Sequence, residues 1–194
     1  MTGWLEHKAE LTSMVRQIEP QAVLISKRHW IFVPSAWFLF IVSFGKFKRD
    51  VFYDRMATAF GPLIGLPETL DFQSAREIIL HEGRHARQTR WLGFGISPWL
   101  GLPLLALLYI FLPFPVLIAF FRYWMELDAD AYMWKELLRK RLWTEAQVRK
   151  EAERRARSLA SVDYFWAVPL KVSFKGYTER AELVILQARG EGNG

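Results

Sequence analysis

The chain has 194 residues, 52% of them hydrophobic and 24% charged, and a formal net charge of +6. It contains no cysteine, which excludes disulfides and thiolate metal sites and leaves histidine and carboxylate side chains as metal ligands. Its length predicts a single domain, and the first 20 residues lack the apolar core of a cleaved signal peptide. We therefore expect a cytoplasmic or peripherally membrane-associated protein.

The first third of the chain predicts a helix, a strand and a short apolar helix. Residues 4–18 place apolar side chains at helical spacing, and Pro20 ends that pattern. Residues 30–33, Trp-Ile-Phe-Val, are typical of a strand. Residues 36–44 form an apolar run that is too short to cross a bilayer core of about 30 Å. We expect this run to form a buried or interfacial helix.

A long helix should follow an extended stretch. Residues 58–67 have glycine and proline at both ends, as in a strand between turns. Ser74 and Glu77 have the spacing of a capping box, which predicts Ser74 as the N-cap of the helix. Gly93 is a natural end for it.

This helix carries the sequence His81-Glu82-Gly83-Arg84-His85. Residues four apart lie on one helix face, so His81 and His85 can present two imidazoles to one ion. Two neutral imidazoles suit Zn²⁺. A glutamate beside such a metal can take a proton from water, which predicts Glu82 as the general base of a metal-dependent peptidase.

A second motif, which is acidic, can supply the third protein ligand that the histidine motif does not contain. A catalytic zinc held by two histidines needs a third protein ligand, and Glu126 can be that ligand. Asp130, one turn further on, can accept the N–H of a ligating imidazole and fix its tautomer. The alternative is an ordinary acidic turn of a helix, paired with Lys135 or Arg139.

Together these motifs resemble the gluzincin metallopeptidases, and in particular their CAAX-processing and heat-shock membrane proteases. The segment His81 to Gln88 also resembles the minigluzincins, in which His-Glu-x-x-His-Ala-x-Gln is common. The resemblance covers about 70 residues. It implies His81, His85 and Glu126 as zinc ligands, Glu82 as general base, and Asp130 as a residue that hydrogen-bonds a ligating side chain. It also implies a substrate-binding strand before the active-site helix, made of Gly61, Pro62, Leu63, Ile64, Gly65 and Leu66.

Between the two motifs, residues 93–121 contain no charged side chain. A single membrane span there would put Glu126 on the other side of the bilayer from His81. We therefore predict a short apolar helical hairpin, roughly 99–111 and 115–140, broken at Pro113 and Pro115. Both a hairpin dipping into one leaflet and one packed inside the protein core remain open.

The rest of the chain predicts two more helices. Thr144 and Gln147 form a capping box for a helix to about residue 160, and a last helix runs from Gly176 to about residue 187. Zinc peptidases commonly place a tyrosine, histidine or arginine near the metal to stabilise the oxyanion. Tyr177 and Arg180 are candidates for that role.

The expected fold is α+β and mostly helical: a small zincin-like sheet, an active-site helix and an apolar hairpin inserted at about 94–121 of one metallopeptidase domain, 1–194. The leading hypothesis is a zinc-dependent endopeptidase with one Zn²⁺ that acts on a peptide or protein. The alternatives are a non-catalytic zinc-containing protein of a membrane surface or an assembly, and a basic nucleic-acid-binding module. Contact with a membrane surface is expected through 36–44 and 94–121; no specific nucleic acid is expected, because aromatics do not interleave with the basic residues.

Overall fold

The structure, a computed structural model, describes residues 3–42, 48–106, 115–160 and 170–191. The chain divides into two compact units, residues 1–103 and 104–194. The architecture is α+β and mostly helical, as predicted. The assignment of both units to one zincin-like domain stays a prediction. No helix among the described residues is long and apolar enough to cross a membrane.

The first unit contains three short strands and five helices among its described residues. Short 3-10 turns lie at Trp4–His7 and Trp30–Phe32. The strands are β1 (Val23–Ser26), β2 (Thr58–Phe60) and β3 (Leu63–Leu66). The helices are α1 (Lys8–Ile18), α2 (Val33–Val42), α3 (Arg49–Arg55), α4 (Phe72–Leu92) and α5 (Pro98–Ala106), the last of which extends past the unit boundary.

The three strands form one mixed sheet in the order β1-β3-β2. Gly61, at a φ of 61°, and Pro62 form a tight turn that returns the chain antiparallel to β2. On its other edge β3 pairs parallel with β1, from Val23 opposite Leu63 to Ser26 opposite Leu66.

This order corrects the predicted substrate strand at Gly61–Leu66. A strand binds a peptide by addition only through a free edge, and both edges of β3 are occupied by β1 and β2. A peptide that adds to this sheet has to pair with β1 or β2.

The strand predicted at residues 30–33 is also wrong. Strand β1 ends at Ser26, and Trp30–Phe32 form a 3-10 turn that leads into α2. The His29 ring accepts a hydrogen bond from the N–H of Ile31, which favours the turn. Phe32 is buried while Trp30 is 73% exposed. Residues two apart lie on the same face of a strand but on different faces of a helical turn, so this difference in exposure fits the turn. The apolar helix predicted at 36–44 is present as α2; residues 43–44 lie outside the described residues.

Helix α4 begins three residues before the predicted start. Its N-cap is Asp71, whose carboxylate accepts the Ser74 N–H at 2.9 Å and the Ser74 hydroxyl at 2.7 Å. Ser74 therefore lies in the first turn rather than at the cap. The predicted end at Gly93 is confirmed, with the Gly93 N–H donating to the Thr89 carbonyl at 3.0 Å.

Helix α1 packs against α4 at a glycine inside the histidine motif. A Cβ atom on Gly83 would lie 2.8 Å from Val15 Cγ2 and 3.2 Å from Ile18 Cδ1, both on α1. At the end of α1, the nearly buried carboxylate of Glu19 accepts from Arg90 Nη2 at 2.7 Å and Nε at 3.0 Å. The two helices are thus held by close apolar contact at one point and by a charged pair at another.

The second unit contains three long helices, α6 (Pro115–Arg139), α7 (Glu145–Leu159) and α8 (Leu170–Glu191). The capping box of Thr144 and Gln147 at the start of α7 is confirmed. Helix α8 begins at Leu170, before the predicted Gly176, and that glycine lies inside the helix where it is in close contact with α6. A Cβ atom on Gly176 would meet the hydroxyl oxygen of Tyr123 on α6.

The predicted apolar hairpin can be compared with the structure only over its two helices. Helix α5 begins one residue before the predicted 99–111 and is described as far as Ala106, and α6 agrees with the predicted 115–140 to within one residue. Residues 107–114, which include the Pro113 break, lie outside the described residues.

The glycine contact between α1 and α4 predicts a specific defect. Gly83→Ala should destabilise the protein by about 1–3 kcal/mol through overpacking, although alanine favours helix by about 1 kcal/mol over glycine. Val15→Ala alone should also destabilise the protein, but the double variant should lose less than the sum of the two single losses, because Val15→Ala removes the methyl group that the new Cβ meets. Urea unfolding of all three variants measures this.

Gly190→Ala is the matched control, since Gly190 also lies in a helix and a Cβ there would have no neighbour within 4 Å. It should be neutral or slightly stabilising. If Gly83→Ala behaved as this control does, the two helices would not be in close contact at Gly83.

Candidate metal centre

The two histidines of the motif converge on one point from α4. His81 is buried, at 6% exposure, and His85 is half-buried. Their Nε2 atoms lie 3.0 Å apart, with the two rings nearly perpendicular at 81°. Both rings direct Nε2 toward the same point, so the helix presents the pair of imidazole nitrogens for a metal ion that the sequence predicts.

Gln88 orients the second histidine. Its side-chain oxygen lies 2.8 Å from Nδ1 of His85 and is suited to accept an N–H there. A proton on Nδ1 leaves the lone pair of Nε2 for a metal. Gln88 lies in the segment that resembles the minigluzincins, but no role was predicted for it. Its position three residues after His85 was the available signal, because residues at that spacing share a helix face.

Helix α6 carries the acidic motif in the second unit. Glu126 is half-buried, and Asp130 is fully buried. The Asp130 carboxylate accepts the Tyr177 hydroxyl from α8 at 3.0 Å and lies 3.4 Å from Nη2 of Arg155 on α7. The simple acidic turn paired with Lys135 or Arg139 is not what forms, since those two side chains bind Glu191 and Glu136 instead.

One ligand atom from each of His81, His85 and Glu126 lies within 4.8 Å of the other two. Within the described parts of the chain this is the one group of three such side chains that could hold a metal ion. Two nitrogens bound to a tetrahedral zinc at about 2.0–2.1 Å lie roughly 3.3 Å apart, close to the 3.0 Å between the two Nε2 atoms. The donor set of two imidazoles and one carboxylate therefore fits a metal ion.

Glu82 follows His81 on α4 and is half-buried. Its charge acts on a side chain that the sequence did not single out, Lys27, which is fully buried. The Lys27 ammonium group hydrogen-bonds to the Thr58 hydroxyl and lies 3.7 Å from the centre of the Phe52 ring. Burial lowers the pKa of Lys27 to about 7, and the nearby negative charge of Glu82 acts in the opposite direction.

The two candidate oxyanion residues differ in their surroundings. Tyr177 is fully buried and its hydroxyl donates to Asp130. Burial, and then the negative charge of Asp130, raise the pKa of this hydroxyl well above its usual value, so it stays a donor. Arg180 is exposed on α8. Contact of either residue with an oxyanion stays a prediction, as does the acceptance of an imidazole N–H by Asp130.

Comparison of this chain with known protein families, with curated proteins and with solved structures finds no match.

The buried lysine predicts a pH dependence of stability. Between about pH 7 and its ordinary value of 10.5, Lys27 is deprotonated in the folded state but protonated in the unfolded state. Folding then releases a proton, so the contribution of Lys27 to stability rises with pH across this interval by about 1.4 kcal/mol per unit at most. Lys27→Met removes that contribution, and the difference in unfolding free energy between wild type and variant should rise from pH 7 to pH 10.

Lys8→Met is the matched control, because Lys8 is an exposed lysine of the same unit. Its difference from wild type should stay nearly constant over the same range in urea unfolding. A Lys27→Met difference equally independent of pH would contradict the burial of Lys27.

Tyr177→Phe tests the buried contact with Asp130. Loss of the hydroxyl leaves a buried carboxylate without one of its donors, which should cost about 1–3 kcal/mol of stability. The measurement is the melting temperature, followed with peptide turnover where activity is found. An unchanged melting temperature with reduced turnover would instead assign the hydroxyl to the substrate, as the sequence predicted.

Proposed function

We propose that this protein is a zinc-dependent endopeptidase of gluzincin type, in which His81, His85 and Glu126 bind one Zn²⁺ and Glu82 is the general base. The observation that carries the proposal is the group of two imidazoles and one carboxylate with a second carboxylate adjacent to it in the sequence. The substrate class is a peptide or protein.

When bound, the zinc ion supplies Lewis-acid activation of a water molecule and of the scissile carbonyl group. Glu82 accepts the proton that this water loses and delivers it to the leaving amine. Gln88 keeps His85 in the tautomer that leaves Nε2 available. Each step performed by the chain is therefore a proton transfer or an orientation by a named side chain.

Three features support this function over a purely structural metal site. The ligand set has three protein groups, which leaves a fourth position for water, whereas structural zinc sites are usually closed by four. The ligands are imidazole and carboxylate rather than thiolate. Glu82 follows the first ligand directly and is not needed to hold a metal.

Metal content tests the ligands. The purified protein should hold about one zinc ion per chain, measured by plasma mass spectrometry after dialysis. His81→Ala, His85→Ala and Glu126→Ala should each lose it. His7→Ala is the matched control and should retain zinc, because His7 lies at the other end of the unit's sequence, beside Phe72. Full occupancy in Glu126→Ala would mean that the third ligand is another residue.

Peptide cleavage tests the base. Glu82→Gln keeps the size of the side chain but cannot accept a proton, so turnover of a peptide library should fall by about 10²–10⁴-fold while zinc content and melting temperature change little. Undiminished cleavage by Glu82→Gln would place the base elsewhere. Zinc binding by a wild type that cleaves no library member would instead favour a non-catalytic zinc protein.

A further inference from the structure

The connection between α4 and α5 exposes a group of large apolar side chains. We refer to residues 91–100 as the tip. Five of its side chains are between 46% and 88% exposed: Trp91, Phe94, Ile96, Trp99 and Leu100. All of them lie in the first unit. So many large apolar residues within one short exposed segment are typical of an interaction surface rather than of scattered surface residues.

The tip is held in place by close backbone packing. A Cβ atom on Gly101 would lie 1.7 Å from the Thr89 carbonyl oxygen, and one on Gly93 would lie 2.3 Å from the Ser97 carbonyl oxygen. The Gly95 N–H donates to the Arg90 carbonyl at 3.0 Å. Only glycine permits such an approach at these two positions, so the start of α5 is fixed against the end of α4.

Phe94 has the left-handed conformation, with a φ of 58°, and is 88% exposed. This conformation is unfavourable for a residue with a Cβ atom, and a bulky side chain rarely adopts it. Burial of the ring within this chain does not offset that cost, because the ring lies almost entirely in solvent. A surface that receives the ring would account for both observations.

The charges around the tip favour an anionic surface. Within the first unit, residues 83–103 have no acidic residue and three arginines, Arg84, Arg87 and Arg90, of which Arg90 pairs with Glu19. Exposed Arg87 lies one turn before Trp91 on the same face of α4. Tryptophan beside cationic side chains is typical of the headgroup region of bilayers that contain anionic lipid.

The polar groups of the tip argue against a protein partner. Protein interfaces have a rim of polar side chains that make hydrogen bonds across the boundary. Apart from the indole N–H groups of Trp91 and Trp99, the one polar side chain of the tip is Ser97, whose hydroxyl donates to Gln21 and accepts from the backbone N–H of Trp99. A lipid headgroup layer requires only apolar insertion and cations, which the tip and Arg87 provide.

We propose that the tip, residues 91–100, inserts into the headgroup region of an anionic lipid bilayer, with Arg87 contacting the phosphate or carboxylate groups of the lipids. The surface is narrower than the apolar segments that the sequence suggested, and its assignment does not depend on the metal or on peptidase activity.

Co-sedimentation with vesicles tests the proposal. The full-length protein should sediment with vesicles of phosphatidylcholine and phosphatidylserine and less with phosphatidylcholine alone. Phe94→Asn with Ile96→Ser should weaken binding at least about 10-fold through loss of inserted apolar surface. Asparagine tolerates the left-handed conformation, so this variant keeps the fold, which circular dichroism verifies. Arg87→Gln should weaken binding about 5-fold, and only to the anionic vesicles.

Trp30→Ser is the matched control, since Trp30 is an exposed tryptophan of the same unit outside the tip. It should bind vesicles as the wild type does. The proposal is overturned if the wild type does not bind anionic vesicles, or if the tip variant binds them equally well. It is also overturned if Trp30→Ser loses binding to the same extent. Self-association that depends on Phe94, without vesicle binding, would identify a second copy of the chain as the occupant and overturn it as well.

Discussion

The close packing of α1 on α4 at Gly83 sets the orientation of the proposed active-site helix. Successive residues of a helix are rotated by about 100°, so Gly83 lies nearly opposite His81 on the helix. Because Val15 and Ile18 take the place of a side chain at Gly83, the face of α4 that carries both histidines points away from α1. The close contact at Gly83, together with Ala75, Ile79 and Ala86 in the same core cluster as Leu11 and Val15, determines which side of α4 faces α1. The Glu19–Arg90 pair adds a second attachment between the same helices.

Each unit contains a buried charged group with named partners. In the first unit, Lys27 lies across Gly65, where a Cβ atom would be 3.1 Å from its Cδ atom, and ends at Thr58 under two aromatic rings. In the second, Asp130 is bound by Tyr177 and approached by Arg155. Burial of such groups is costly unless they are paired, so these pairs favour one arrangement of the strands and helices that carry them.

Sequence signals that act within one helix made several features of the fold and of the candidate site predictable. The spacing of His81 and His85, the stop at Gly93 and the capping box at Thr144 each act within one or two turns of a helix, and all three are confirmed. The helix start was placed at Ser74 because Ser74 and Glu77 fit a capping box, while the nearby Asp71 fits the N-cap equally well and is the one used.

What could not be predicted depends on contacts between distant parts of the sequence. The central position of β3 follows from its pairing with β1, about forty residues earlier, and no local pattern specifies a sheet order. The burial of Lys27 was not predicted because lysine is almost always exposed. The role of Gln88 becomes clear only when the His85 ring is placed, since its spacing alone does not show which ring nitrogen it faces.

The most direct test of the metal centre is X-ray absorption at the zinc edge of the purified protein. The arrangement of His81, His85 and Glu126 predicts four nitrogen or oxygen neighbours at about 2.0–2.1 Å, with the outer-shell scattering of two imidazole rings. The Glu126→Gln variant should change the first shell and keep both imidazoles. A shell of six oxygens, or a spectrum without imidazole scattering, would contradict the proposed centre.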